Sequence, residues 1–459
     1  MKLKYIFIGL VVCIVFGSCK KQLELKDPQG LSPADALSND ANIKKVLQGG
    51  YDAISASSLY GGDLQLMADL MGSNGELRWA GTYQNYREIW GKSIITTNSL
   101  ITGTWLDAYN AINIVNNVLA NIDKVSADDA DRVKGEALFI RAAMHFELVR
   151  FYAKDYTDGD PNINPGVPIV TTPTNATKDV TKPARSSVNA VYEAVIADLT
   201  QASSLLPTTN DVFATKATAA AMLSRVYLQK ADYTAARDAA NEAIDNAEGK
   251  SLLLSFMDNF NQAANTPETI FSIQVSDQDG ANDLQLFYSI PDFGARDGDV
   301  EVTDKHLDLY EEDDQRAMVT EEPEDVSFKT GFYYILDAYR TTKWRDLYKN
   351  INVIRLAEMY LTRAEANYRL GTAIGAEPVD DINLIRERAG LLPLSVIANV
   401  DEIYMERHRE LAFEGFALHD AKRFKRTIDG LPWNDNSLVF PIPFREMNAN
   451  LNLTQNPGY

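Results

Sequence analysis

The chain has 459 residues, 45% of them hydrophobic and 10% aromatic, which excludes disorder as a description of the whole chain. That length calls for one large domain with insertions or for two domains sharing an interface. With 64 acidic against 44 basic residues the formal charge is -20, so repulsion disfavours nucleic acid and strongly acidic ligands.

Residues 1–18 read as a secretory leader, in which Lys2 and Lys4 form a basic start and Tyr5 to Phe16 an apolar run. The run is too short to cross a bilayer, which takes about 20 residues. It ends in Phe16-Gly17-Ser18-Cys19, which resembles the lipobox of bacterial lipoproteins and implies acylation of Cys19 as the first mature residue. Cys13 would be lost with the leader, which leaves no disulfide, thiolate metal site or cysteine nucleophile. Several acyl chains on Cys19 would hold stably in a membrane. Residues 19–40, polar and carrying Pro28 and Pro33, read as the lipidated tether of a domain spanning 41–459.

An irregular segment at about 60–100 holds the densest aromatic cluster outside a clear helical core. Trp79, Tyr83, Tyr86 and Trp90 are interleaved there with Asn74, Arg78, Asn85, Arg87 and Glu88. Two readings stay open. Tyr83, Tyr86 and Trp90, at spacings of three and four, suit the buried stripe of a short helix, whereas Trp79, flanked by Gly75 and Gly81, suits a loop.

Helical periodicity then dominates. Trp105, Tyr109, Ile112, Val115, Leu119 and Ile122 share one face, and a second helix from about Asp131 to Tyr152 completes an αα-hairpin at about 104–154. Prolines 161, 165, 168, 173 and 183 mark 155–187 as a surface loop. Val188, Val191, Val195, Leu199 and Ala202 open a block at 188–248, in which Ala219 to Ile244 resembles a tetratricopeptide helix pair. Small Ala236, Ala239, Ala240 and Ala243 there allow close stacking. Thr269 to Ser276 alternates as a strand, and 277–350 is irregular apart from a possible helix near 303–315. A helix from Ile351 to Leu370 is followed by helices near 377–389 and 401–426, and Leu438 to Pro443 is strand-like. The expected fold is mainly α: tetratricopeptide-like helical hairpins in an α-α superhelix, with long loop-rich insertions and a few short strands.

Catalytic signatures do not emerge. None of the four histidines pairs at the i, i+4 spacing of a helical zinc site, and no G-x-S-x-G, G-x-G-x-x-G or P-loop occurs. Asp277, Asp279 and Asp283, or Asp297, Asp299 and Glu301, could hold calcium but lack the EF-hand spacing. No catalytic residue, metal site or cofactor is expected.

Three segments in the last third, VIRLAEMYLTRAEANYRLG (353–371), DDINLIRERAGL (380–391) and ERHRELAFEGFALHDAKRF (406–424), resemble the conserved helices of the SusD/RagB family. The tail FPIPFREMNANLNLTQNPGY, the LKDP tether, the PGVPIV loop and Lys343-Trp344 are similar to that family in the same order. The resemblance implies a non-catalytic outer-membrane lipoprotein, facing the exterior as a lid on a SusC-like TonB-dependent transporter. It would capture an oligosaccharide or, as in the RagB branch, a peptide. Arg363, Glu365, Arg386, Arg388, Arg409, Glu410 and Glu414 would then lock helices together, and Trp344 would be structural. Sugar capture needs flat apolar faces edged by hydrogen-bonding groups. The candidate ligand residues are therefore Trp79, Tyr83, Tyr86, Trp90, Arg78, Asn85, Asn74 and, from the 277–350 segment, Tyr288.

Overall fold

The computed structural model describes residues 33–278, 280, 282–320 and 330–459. The leader, Cys19, most of the tether and Asp279 lie outside the described residues. After a helical turn at Pro33–Ala36 come α1 (Asp40–Ile54), α2 (Asp63–Gly72), β1 (Leu77–Trp79), α3 (Gln84–Trp90), α4 (Ser99–Leu119) and α5 (Ala127–Tyr152). Next are α6 (Val188–Leu205), α7 (Lys216–Gln229), α8 (Tyr233–Asp245), β2 (Thr269–Ile273), α9 (Asp283–Tyr288), β3 (Val300–Val302) and α10 (Asp304–Leu307). The chain continues through β4 (Val319–Thr320), β5 (Phe332–Ile335), β6 (Ala338–Thr341), β7 (Ile351–Arg355) and α11 (Leu356–Leu370). It closes with α12 (Pro378–Arg388), α13 (Val400–Glu410), α14 (Ala417–Arg423) and α15 (Phe444–Ala449).

The fold is mainly α. Asn98 caps α4 by accepting from the Leu100 amide, and Trp105, Ile112 and Val115 form its buried stripe against α1 and α5. A capping box of Thr215 and Thr218 starts α7, and the Asp232 carboxylate caps α8. Ala236, Ala239, Ala240 and Ala243 are buried as α8 packs on both α7 and α11, the close approach their size permits.

Several elements differ from expectation. Residues 351–355 are a strand rather than the start of α11, and they pair antiparallel with β2, Thr269 opposite Arg355. Part of the irregular 60–100 segment is α2, buried along its whole length. The 277–350 segment supplies most of a five-stranded sheet ordered β1-β3-β6-β5-β4, and the helix foreseen near 303–315 shrinks to α10. The 401–426 helix breaks at Leu411–Phe416, where Phe413 (φ 64°) and Gly415 (φ 86°) are left-handed. Of the stretch Leu438 to Pro443, Leu438 ends a 3-10 turn (Asn436–Leu438) and the rest forms no strand, because side-chain amides serve as its partners. Ile442 exchanges hydrogen bonds with the Gln455 side chain at 2.8 Å each way, and the Asn456 amide donates to Phe440 O at 2.7 Å.

Where α2 meets the start of α14, Gly72 leaves no room: a Cβ there would lie 2.1 Å from the Leu418 amide nitrogen. Backbone cannot yield as a side-chain end can. Gly72→Ala is expected to destabilise the protein by about 3 kcal/mol, the upper part of the overpacking range. A urea midpoint unchanged from wild type would contradict that contact.

The charged residues of the last third form a buried network. Arg355 bonds Glu268 at 2.6 Å, Glu414 at 2.7 Å and Glu410 at 3.0 Å, and Arg388 bonds Glu268 at 2.7 Å and also Glu410. Arg316 reaches Glu410 at 3.3 Å, and Lys343 holds Glu414 at 2.7 Å. Arg363 pairs with Asp381 and Arg386 with Glu311, while Arg423 holds Glu365; Arg409 lies 3.4 Å from Glu311. These pairs tie α11, α12, α13 and the β2–β7 ribbon into one body. Trp344 is buried and donates to Phe413 O at 2.7 Å.

Candidate functional site

The aromatic cluster of 79–90 is brought together, but mostly inward. β1 alternates, so Arg78 points outward and pairs with Glu301 across the ladder to β3, while Trp79 turns into the core and is 3% exposed. Trp79 stacks on Tyr86 at 4.8 Å and 25°, with Phe287 at 5.8 Å. Tyr86 is buried and its hydroxyl donates to Asp63 at 2.6 Å. Trp90, half-buried, donates its indole N–H to Leu77 O at 2.9 Å. Tyr288 is fully buried against Phe413 and beside Asp69. Trp79, Tyr86 and Tyr288 are thus core residues and offer no open face to a ligand, because β1, α3 and α9 close over them.

Tyr83 is different. It is 43% exposed, and the Arg296 guanidinium lies 4.0 Å over its ring while also donating to its hydroxyl at 2.8 Å. Asn85 donates to Ser99 at 3.1 Å, and Asn74, left-handed at φ 46°, accepts from the Asp429 amide at 3.0 Å, so both shape turns. Of the aromatic candidates, Tyr83 alone is exposed, with Arg296 over its ring and Arg78 exposed on the neighbouring strand.

A larger opening lies at the other end of α9. A cleft of about 730 Å³ is lined by Asp52, Ser55 and Ser57 at the end of α1, Asp107 and Asn110 of α4, Gln274 and Gln278 after β2, and Asn282 and Asp283. Hydroxyls, amides and carboxylates dominate its wall. An adjoining recess of about 260 Å³ shares Asp52, Ser55 and Gln274 and adds Tyr51 and Phe213, whose rings meet at 4.8 Å. Burial pushes the Asp283 carboxyl up to about 6, although a hydrogen bond from Ser57 opposes this. Burial likewise raises neighbouring Asp63 to about 7 against the Tyr86 hydrogen bond, with the Asp283 charge adding to the rise. α9 spans roughly 9 Å, with Asp283 on the cleft and Phe287 under Tyr83, so the two features are neighbours. Sequence reading missed the cleft because its walls come from four separate stretches, none with a motif of its own.

A third cluster joins residues far apart in the chain. Glu76 Oε2 lies 2.8 Å from His306 Nδ1 and 2.7 Å from His408 Nε2, and the three ligand-type atoms fall within 4.8 Å of one another. Among the described residues this is the grouping able to hold a metal ion, where none was foreseen. Burial opposes ionisation of Glu76, yet the two imidazoles outweigh it and hold its carboxyl at about 2. Burial likewise opposes charge on His408, and the Glu76 carboxylate overrides it and raises that ring above its ordinary value. Among the described residues no helix is long and apolar enough to cross a membrane.

Two family models match the chain. One, described as starch-binding associating with outer membrane, covers residues 22–228, and the SusD family model covers residues 275–438. SusD-like protein P2 of Formosa agariphila is 28% identical over 521 aligned positions, covering 100% of both chains. Among solved structures, a SusD superfamily protein of Bacteroides thetaiotaomicron superposes with a TM-score of 0.79 at 26% identity, over 93% of this chain and 100% of the other. A sugar-binding protein, so described provisionally, from Bacteroides vulgatus gives 0.78 at 27%, over 92% and 99%. Two models of one family on successive parts of the chain, a relative aligned end to end and the shared helical architecture agree that the chain belongs to the SusD/RagB family.

Proposed function

We propose that this protein is a non-catalytic cell-surface lipoprotein, anchored in the outer membrane through Cys19, that captures oligosaccharides and passes them to a SusC-like TonB-dependent transporter. The observation that carries the reading is the wide polar cleft at the start of α9. Its uncharged hydroxyls and amides, with Asp52, Asp107 and Asp283 as acceptors, suit a ligand rich in hydroxyl donors, and its volume fits a few sugar rings. Tyr51 and Phe213 in the recess supply apolar faces for ring C–H groups. Tyr83 and Arg78 form the outer margin beyond α9. Family membership supports the same reading, since the matched model is described by starch binding at the outer membrane.

Calorimetry of the purified protein against a broad oligosaccharide panel tests it. Binding by at least one neutral oligosaccharide is expected. Asn110→Trp, which places bulk into the cleft from an exposed helical position, is expected to weaken that binding about tenfold or more, or 1.4 kcal/mol, without lowering the unfolding midpoint. Binding of peptides alone would replace the carbohydrate reading with peptide capture. Oligosaccharide binding indifferent to Asn110→Trp and lost in Tyr83→Ala would move the site to the outer face.

A further inference from the structure

Glu76, His306 and His408 come from three parts of the chain: the turn before β1, α10 and α13. We propose that they form a binding site for a divalent transition-metal ion of the zinc class. Two imidazole nitrogens and a carboxylate are the donor set that such ions take from proteins when a fourth position is left to water. Tetrahedral zinc with ligands at about 2.1 Å needs them roughly 3.4 Å apart, so the Glu76 contacts of 2.8 Å and 2.7 Å would open by about 0.6 and 0.7 Å, with the two imidazole nitrogens already within 4.8 Å of each other.

The surroundings supply what the three ligands lack. His306 Nε2 lies 3.1 Å from the Tyr310 hydroxyl, which in turn reaches Arg409 O at 3.3 Å. That chain orients the ring with Nδ1 toward Glu76, where a metal ion would lie between them, as a bound histidine requires. Phe413 lies 4.8 Å from the His306 ring and Tyr404 stacks on His408 at 5.6 Å and 12°, giving apolar walls. A cavity of about 20 Å³ touches Glu76, His306 and His408, enough for one water as the fourth ligand. The same cavity is lined by Asp69 and Ser73, and Asp69 Oδ1 and Ser73 Oγ are buried with no hydrogen-bond partner. A metal-bound water in this cavity would have Ser73 Oγ and Asp69 in its lining, Asp69 also having the Tyr288 hydroxyl beside it. Arg407, which also lines the cavity, is held by Asp420 at 2.6 Å.

A plain buried ion pair accounts for Glu76 and one histidine. It leaves unexplained why a second imidazole converges on the same oxygen beside two unsatisfied polar atoms. Metal binding would displace the protons between these groups and release them to solvent, so uptake would weaken in acid. The ion would fasten the turn that feeds β1 to α13.

The test uses tag-free, chelator-stripped protein, titrated with zinc chloride by equilibrium dialysis and with cobalt(II) by visible spectroscopy. One zinc per chain, a rise in the thermal midpoint with zinc, and intense cobalt bands of a four-coordinate site with nitrogen ligands are expected. Glu76→Gln and His408→Gln are each expected to weaken zinc binding about tenfold or more, while Asp313→Asn, in the exposed acidic run, leaves it unchanged. Zinc uptake that both ligand variants retain, or that Asp313→Asn removes, would overturn the proposal. Should the ligand variants fail to fold, wild-type cobalt spectra without those bands would overturn it alone. Oligosaccharide binding plays no part in these readouts.

Discussion

Trp79→Ala is expected to lower stability by about 3–5 kcal/mol, the range for emptying a large aromatic site in a core. The indole is 3% exposed, stacked on Tyr86 and packed on Phe287. Its loss would leave a void beneath β1 and α3. Tyr83→Ala, only four residues on, is expected to cost about 1 kcal/mol, the strength of its stack with Arg296 at a wet site. Urea unfolding with equal slopes for the two variants measures both. A Trp79→Ala protein as stable as wild type but poorer in ligand binding would show that the ring is accessible.

Glu410→Gln is expected to cost about 3–5 kcal/mol, because removing one member of a buried ionic cluster leaves its partners uncompensated. Arg355, Arg388 and Arg316 all converge on this carboxylate, and all four residues are buried. Burial alone would raise the Glu410 carboxyl, but Arg388, Arg355 and Arg316 outweigh it and hold it at about 2 against the ordinary 4.5. A carboxyl depressed by folding contributes its stability above its unfolded value and loses it as pH falls through the folded one. The stability gap between wild type and Glu410→Gln should therefore be full above pH 4.5 and shrink between 4.5 and 2. Denaturant melts across that range check it, and a gap that widens on acidification would contradict the network.

Helices with a face on water were legible from sequence, and α2, buried throughout, was not. α4, α6 and α8 each have one wet face, so their apolar residues recur at spacings of three and four. α2 is buried all round and has no such boundary, which is why DLQLMADLMG looked irregular. β7 is buried on both faces, so Val353 fell in step with Ala357 and Leu361 and passed for a helical turn. Its partner β2 lies far back in the chain, and local pattern carries no trace of that pairing. The candidate site divides in the same way. A turn of aromatics was visible at 79–90, but whether each ring faces out depends on α9 and β3, some two hundred residues later. The cleft and the Glu76 cluster are assembled wholly by such distant meetings.

The pairing of residues 438–443 with the side chains of Gln455 and Asn456 bears on the order of assembly. The last carbonyls of α5, at Phe151 and Tyr152, accept from the Phe440 amide at 2.8 Å and the Asn456 side chain at 2.8 Å. Arg185 also donates to the Tyr152 carbonyl at 3.0 Å, so it is the Phe151 carbonyl that waits for its partner until the C-terminal segment has been synthesised and has docked. Closure by the most distant contacts makes folding a late event rather than one that proceeds along the emerging chain. For the exported lipoprotein proposed here, late closure keeps the polypeptide threadable until it has left the cytoplasm.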